Sequence, residues 1–125
     1  MASGHKATLL NMLSGFPQKA GNRNWVAYSA KGPDDYDTLG NAIPLPKGIN
    51  FVEEVICSEG VITATGVLYH IHPIITPQPS ATAGNRQTGG TGVTLVFIAN
   101  TTGVEPADNT DLSNVLFRIS FRGRR

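Results

Sequence analysis

The chain has 125 residues, 40% of them hydrophobic and 15% charged, with ten Lys and Arg against nine Asp and Glu for a formal charge of +1. That length holds one small domain of two packed layers and excludes a large multi-domain enzyme. The near-neutral balance excludes whole-chain attraction to nucleic acid or membrane, so any such attraction must come from local clusters.

The first fifteen residues read as an N-terminal arm, 1–15. Leu9, Leu10, Met12 and Leu13 have helical spacing behind Ser3 and before Gly15. A helix of two turns is marginal in water, and an edge strand fits the same residues. The stretch is too short and too interrupted by Asn11 and Ser14 for a signal peptide. Nothing approaches the roughly 20 apolar residues that span a bilayer, so the expected address is the cytoplasm or a particle assembled there. Trp25 to Ser29 reads as a short strand between the turn signals Gly21-Asn22 and Gly32-Pro33. Residues 30–50, with Gly32, Pro33, Gly40, Pro44, Pro46 and Gly48, read as a loop longer than the roughly 12 to 15 residues that compact domains usually tolerate without a functional reason.

Phe51 to Cys57 and Val61 to His72 read as strands. Ser58-Glu59-Gly60 between them places glycine where a three-residue hairpin needs a positive φ, and Gly66 marks a bulge or bend in the second strand. Residues 73–92 form a second long, projecting loop with three prolines and four glycines. Val93 to Asn100 carries apolar residues on both faces and reads as a central strand. Thr101 to Ser113 is a third irregular stretch. Val115 to Arg122 alternates Val115, Phe117, Ile119 and Phe121 with Leu116, Arg118, Ser120 and Arg122, the pattern of a half-buried strand. The expected fold is all-β over residues 1–125, a small β-sandwich or barrel with long Gly- and Pro-rich loops and extended termini.

Cys57 is the single cysteine and forbids an intramolecular disulfide, so folding rests on packing or on partners. It has no sequence-visible base and reads as a buried apolar side chain. His70 and His72 stand two apart on a strand, which puts both imidazoles on one face about 7 Å apart. This is half of the cupin His-x-His metal motif; no carboxylate follows and the only other histidine is His5, so neither metal nor cofactor is expected. Glu53 and Glu54 are adjacent in a strand, point to opposite faces, and do not converge as a glycosidase pair. Asp34, Asp35 and Asp37 lack the spacing of a calcium loop and read as a solvated turn. Gly89-Gly90-Thr91-Gly92 lacks the lysine and helix of a phosphate-binding loop and reads as a flexible hinge. Asn100-Thr101-Thr102 matches a glycosylation acceptor, but without an export signal it reads as a chance match. With every constellation incomplete, no catalytic residues are expected and the chain reads as a non-enzyme.

The C-terminus stands apart, because Arg118, Arg122, Arg124 and Arg125 place four of the ten basic residues in the last eight positions. These are candidate contacts for an anion or a protein partner, with 122–125 as a basic tail; the alternative is a solvating end that keeps an edge strand from pairing. Phe117 and Phe121 are the only aromatics interleaved with them and face the core, which argues against nucleic-acid recognition. The arms are rich in Gly, Pro, Thr and Asn, as in the segment from Thr82 to Gly92. In this the chain resembles small virion proteins of tailed bacteriophages, the capsid decoration or cement type. The resemblance implies a protein bound to the outer capsid lattice, a homo-oligomer or a ligand of a major capsid protein, with no catalytic residues.

The expected function is a non-enzymatic structural protein that decorates or stabilises a capsid or tail lattice. Its interface elements would be Met1 to Gly15, the 73–92 loop and the basic C-terminus. One alternative is a carbohydrate- or ligand-binding β module using Trp25, Tyr28 and Tyr36 as stacking surfaces. Another is nucleic-acid attachment through the arginine tail, which would weaken steeply with salt.

Overall fold

Period-two alternation of apolar side chains decides this architecture. The computed structural model describes residues 6–13, 18–20, 23–76 and 89–124, and among them every regular element is a strand. In chain order these are β1 (Thr8–Met12), β2 (Gln18–Ala20), β3 (Arg23–Lys31), β4 (Asn41–Ile43), β5 (Phe51–Cys57), β6 (Gly60–Ile62), β7 (Val67–Thr76), β8 (Gly92–Ala99) and β9 (Val115–Arg124). They form one strongly curled antiparallel sheet, a half-barrel, in the order β1-β3-β9-β6-β7-β8-β4. The all-β expectation holds. β2 lies along the same side of β3 as β1, and β5 lies along β9 in line with β6. Where the sheet curls round, the Ala7 N–H donates to the Ala42 carbonyl at 3.0 Å and brings its two ends together.

The concave face is the core. β9 supplies Val115, Phe117, Ile119 and Phe121, β8 supplies Val93, Leu95 and Phe97, and β3, β5 and β7 add Val26, Ala30, Val52 and Ile71. Phe97 sits at the centre, its ring edge-to-face with Tyr36, Tyr69 and Phe117 at centroid separations of 5.9, 6.5 and 6.0 Å. Each such pair adds about 0.5–1.5 kcal/mol to the burial of its rings. The central position expected for the Val93 to Asn100 strand is observed, since β8 lies between β7 and β4.

The segment from Phe51 to His72 folds differently from expectation. It is not a hairpin of two long strands turning at Ser58-Glu59-Gly60. β5 and β6 both pair with β9, from Phe51 opposite Arg124 to Ile62 opposite Val115, so the chain runs straight on along one edge. The reversal comes at residues 63–66, where Gly66, at φ +73°, donates its N–H to the Ile62 carbonyl at 2.7 Å and starts β7 back along β6. Gly60 serves packing instead of a turn: a Cβ there would lie 2.6 Å from Val115 Cγ1.

Both long loops are also shorter than expected. Residues 30–50 contain β4, and the 73–92 region begins with the end of β7, whose Pro73 faces Leu95 of β8. Its last residues are no hinge: Gly90 exchanges two backbone hydrogen bonds with Val52, at 2.7 and 2.9 Å, and a Cβ on Gly90 would meet the Thr76 carbonyl oxygen at 2.3 Å. Residues 77–88, with most of the proposed projecting loop, lie outside the described residues. The arm residues 8–12 are strand, which settles the helix-or-strand alternative; residues 1–5 and 14–15 lie outside the described residues. Among the described residues no helix is long and apolar enough to cross a membrane.

Candidate functional site

Alternation along β9 turns Leu116, Arg118, Ser120, Arg122 and Arg124 to the outer, convex face, opposite the buried Phe117 and Phe121. The antiparallel register then fixes the neighbours of each arginine. Arg122 stands between Trp25 of β3 and Glu54 of β5, and Arg124 stands opposite Phe51. The guanidinium carbon of Arg122 lies 5.9 Å from the Trp25 ring centroid and that of Arg124 lies 4.8 Å from Phe51. At such separations the ring quadrupole attracts the cation. Arg122 Nε is 3.6 Å from Glu54 Oε1, and Arg124 Nε is 4.0 Å from Glu53 Oε2. These are ion-pair distances, and among the described residues neither Nε atom has a hydrogen-bond partner. Arg122 and Glu54 are partly exposed, a setting in which an ion pair stabilises by at most about 1 kcal/mol, whereas the Glu53 side chain beside Arg124 is only 8% exposed; both pairs orient the arginines.

Three expectations are corrected here. Glu53 and Glu54 do not point to opposite faces: the register shifts between Val52 and Glu54, and this bulge brings both carboxylates to the arginines. The arginines do not guard an edge, because β9 is flanked by β3 on one side and by β5 and β6 on the other. Nor are residues 122–124 a tail, since they belong to β9, while Arg125 lies outside the described residues. Aromatics do accompany the arginines, but from neighbouring strands. Arg118 is exposed on the same face, with its backbone N–H donating to Ser58 Oγ at 2.9 Å.

The opposite end of the sheet, where β3 ends and β9 begins, carries the acidic residues. Loop 32–40 lies against loop 104–114 through hydrogen bonds from the Tyr36 N–H to the Thr110 carbonyl at 2.9 Å and from the Leu112 N–H to the Pro33 carbonyl at 2.9 Å. The fully buried Tyr36 hydroxyl donates to Glu105 Oε1 at 2.6 Å and accepts from the Phe97 N–H at 3.2 Å. Burial and the Glu105 carboxylate both push its pKa well above the usual phenol range. Glu105 Oε1 also accepts the Leu39 N–H at 2.8 Å, and Asp108 Oδ1 accepts the Thr38 N–H at 2.7 Å. That backbone hydrogen bond holds the Asp108 carboxyl below its ordinary value, and bonds from Ser113 do the same for Asp111. Between these anchors Leu39 projects 80% exposed at φ +74°. Tyr36 therefore belongs to the core, and Trp25, Tyr28 and Tyr36 do not form a shared stacking surface.

A third feature is the edge strand β1. Leu9 packs on the core, but Leu10, Met12 and Leu13 are 42%, 38% and 48% exposed. The remaining candidates are dispersed. His70 and His72 do share the exposed face, with ring centroids 6.4 Å apart, and Glu59 Oε1 is 3.6 Å from His70 Nδ1. Among the described residues no group of three or more His, Cys, Asp or Glu is placed to hold a metal. Cys57 is largely buried, which pushes its thiol up to about 12. At neutral pH it is a protonated, unreactive thiol.

Sequence reasoning missed Trp25 and Phe51 as partners of the arginines, and Leu39 as an exposed tip. The first two depend on cross-strand register, which one sequence does not carry. Leu39-Gly40 does carry a signal, a large apolar residue beside glycine within a polar loop. No protein-family model, no curated protein and no solved structure matches this chain.

Proposed function

We propose that the protein is a non-enzymatic assembly protein, a virion component of the decoration or cement type, that joins copies of itself and a larger protein lattice through edge strand β1. The observation that carries this reading is the exposure of Leu10, Met12 and the adjoining Leu13 on a strand that, among the described residues, pairs along its length with β3 alone and meets β4 only through the Ala7–Ala42 hydrogen bond at its start. Edge strands are ordinarily protected by charge, proline or a covering segment. Thr8–Met12 contains neither a charged residue nor proline, and its free backbone groups make a template for strand addition by a neighbour. Leu68 and Leu116, each 42% exposed on either side of Val61, extend the apolar character of the convex face. Such surface is stabilised once a neighbouring subunit removes it from water.

Sedimentation equilibrium tests the reading. The wild-type chain is expected to rise in weight-average mass across the micromolar range, and a Leu10→Lys, Met12→Lys variant to require at least about tenfold more protein, a penalty of ~1.4 kcal/mol. A wild-type chain that stays monomeric throughout, or a variant that matches wild-type mass, would refute it.

A further inference from the structure

The two ends of the sheet differ in charge far more than a net charge of +1 suggests. At the end formed by loops 32–40 and 104–114, the described residues include six acids, Asp34, Asp35, Asp37, Glu105, Asp108 and Asp111, against Lys31 at the close of β3 and Lys6 just before Ala7, which bonds Ala42. The other end carries Arg122 and Arg124 with Trp25 and Phe51, and Lys47 in the adjoining loop, against Glu53 and Glu54. The ten residues of β9 separate the ends, a distance of about 30 Å at ~3.3 Å per residue.

Each end also exposes apolar surface beside its charge. Leu39 and Val104 are 80% and 60% exposed at the acidic end, and Trp25 is 41% exposed at the basic end. Leu39 adopts a left-handed backbone conformation at φ +74° that disfavours a leucine. It is held there from beneath by Glu105 and, through Thr38, by Asp108. A tip fixed in this way loses little conformational entropy on docking. At the basic end the guanidinium groups lie against aromatic rings, and among the described residues neither Nε has a hydrogen-bond partner. Tryptophan and arginine at a partly exposed patch are the residue types that dominate protein interfaces.

We propose that copies of this chain associate head to tail: the acidic tip around Leu39 of one copy seats on the Trp25, Arg122 and Arg124 surface of the next. The contact is heterologous, so it builds a ring where the rotation between copies closes and an open filament where it does not. This inference rests on the assembly reading but uses a different surface from β1. The two contacts therefore fail separately.

Charge reversal and mixing of full-length chains test it. Arg122→Glu with Arg124→Glu makes both ends acidic, and Asp34→Lys with Asp37→Lys and Asp111→Lys, which spares the tip anchors Glu105 and Asp108 and leaves three acids against five lysines, makes both ends basic. Each charge-reversal variant alone is expected to associate at least tenfold more weakly than wild type in sedimentation equilibrium at low salt, and an equimolar mixture to regain association. A folding defect in either variant cannot produce that recovery. Leu39→Ser, which removes an exposed side chain, is expected to weaken association without altering the unfolding midpoint. Wild-type association at this contact should fall at least tenfold between low and high salt. The proposal is overturned if either charge-reversal variant associates like wild type while remaining sensitive to Leu10→Lys and Met12→Lys, or if the mixture does not recover. Binding of a fluorescein-labelled oligothymidylate that requires Arg122 and Arg124, with the chain itself unassociated, would also overturn it by assigning the arginines to nucleic acid.

Discussion

A methyl group added at Gly60 would lie 2.6 Å from Val115 Cγ1 and 3.0 Å from Ile71 Cδ1. Both neighbours are core residues, 0% and 2% exposed, on strands that flank β6. Their atoms can retreat only by disturbing the packing of β9 and β7. Overpacking of this kind costs about 1–3 kcal/mol, which for a domain of this size lowers the melting temperature by roughly 5–15 °C. Gly60→Ala should show this loss in urea and thermal unfolding followed by circular dichroism. Val115→Ala removes the offending γ-carbon. In that background the cost of Gly60→Ala should shrink by about 1 kcal/mol or more, beyond the ~0.3–0.5 kcal/mol within which independent sites add. Gly66 supplies the contrast, because it sits at φ +73° with nothing within 4 Å of a built Cβ. Gly66→Ala should lose about 1–2 kcal/mol for backbone reasons alone, in either background. Equal losses for Gly60→Ala with and without Val115, or no loss at all, would refute the reasoning and return glycine's role at position 60 to the backbone of a hairpin.

Other variants probe the acidic end. Tyr36→Phe removes a hydroxyl that both donates to Glu105 and accepts the buried Phe97 N–H, so it should cost about 1–3 kcal/mol in urea unfolding; wild-type stability would contradict the role given to this anchor. Asp108 titrates below its ordinary 3.8 because its charged form accepts the Thr38 N–H, and its contribution to stability is therefore present above 3.8 and lost as pH falls through the lowered value. Asp108→Asn keeps an oxygen for Thr38, so its stability should fall less steeply than that of wild type on acidification below 3.8, as read from urea midpoints; parallel acid limbs would contradict this.

What could be read from the amino acids alone followed from alternation. Val115 to Arg122 and Val93 to Asn100 announce strands because each side chain's face is set by its own position parity, and both strands form with those faces. What could not be read depends on which strand lies beside which. Ser58-Glu59-Gly60 has the composition of a turn, yet β9 pairs on both sides of it and carries the chain straight through. Gly60 and Gly66 look alike in sequence, and only neighbours across the sheet distinguish a glycine needed for close approach from one needed for positive φ. The candidate site shows the same division. The arginines of β9 were legible, while Trp25, Phe51, Glu53 and Glu54 joined them through register and a bulge. Leu39 became visible only when the Tyr36 network fixed the loop beneath it.

The role of β1 is tested most directly by amide hydrogen exchange across Thr8–Met12, followed by mass spectrometry as the protein is concentrated. The account predicts that protection of this strand rises in step with the assembled fraction, as a neighbour's backbone takes up its free N–H and C=O groups, and that Leu10→Lys with Met12→Lys abolishes the rise. Exchange at β1 that stays unchanged while the mass increases would contradict it.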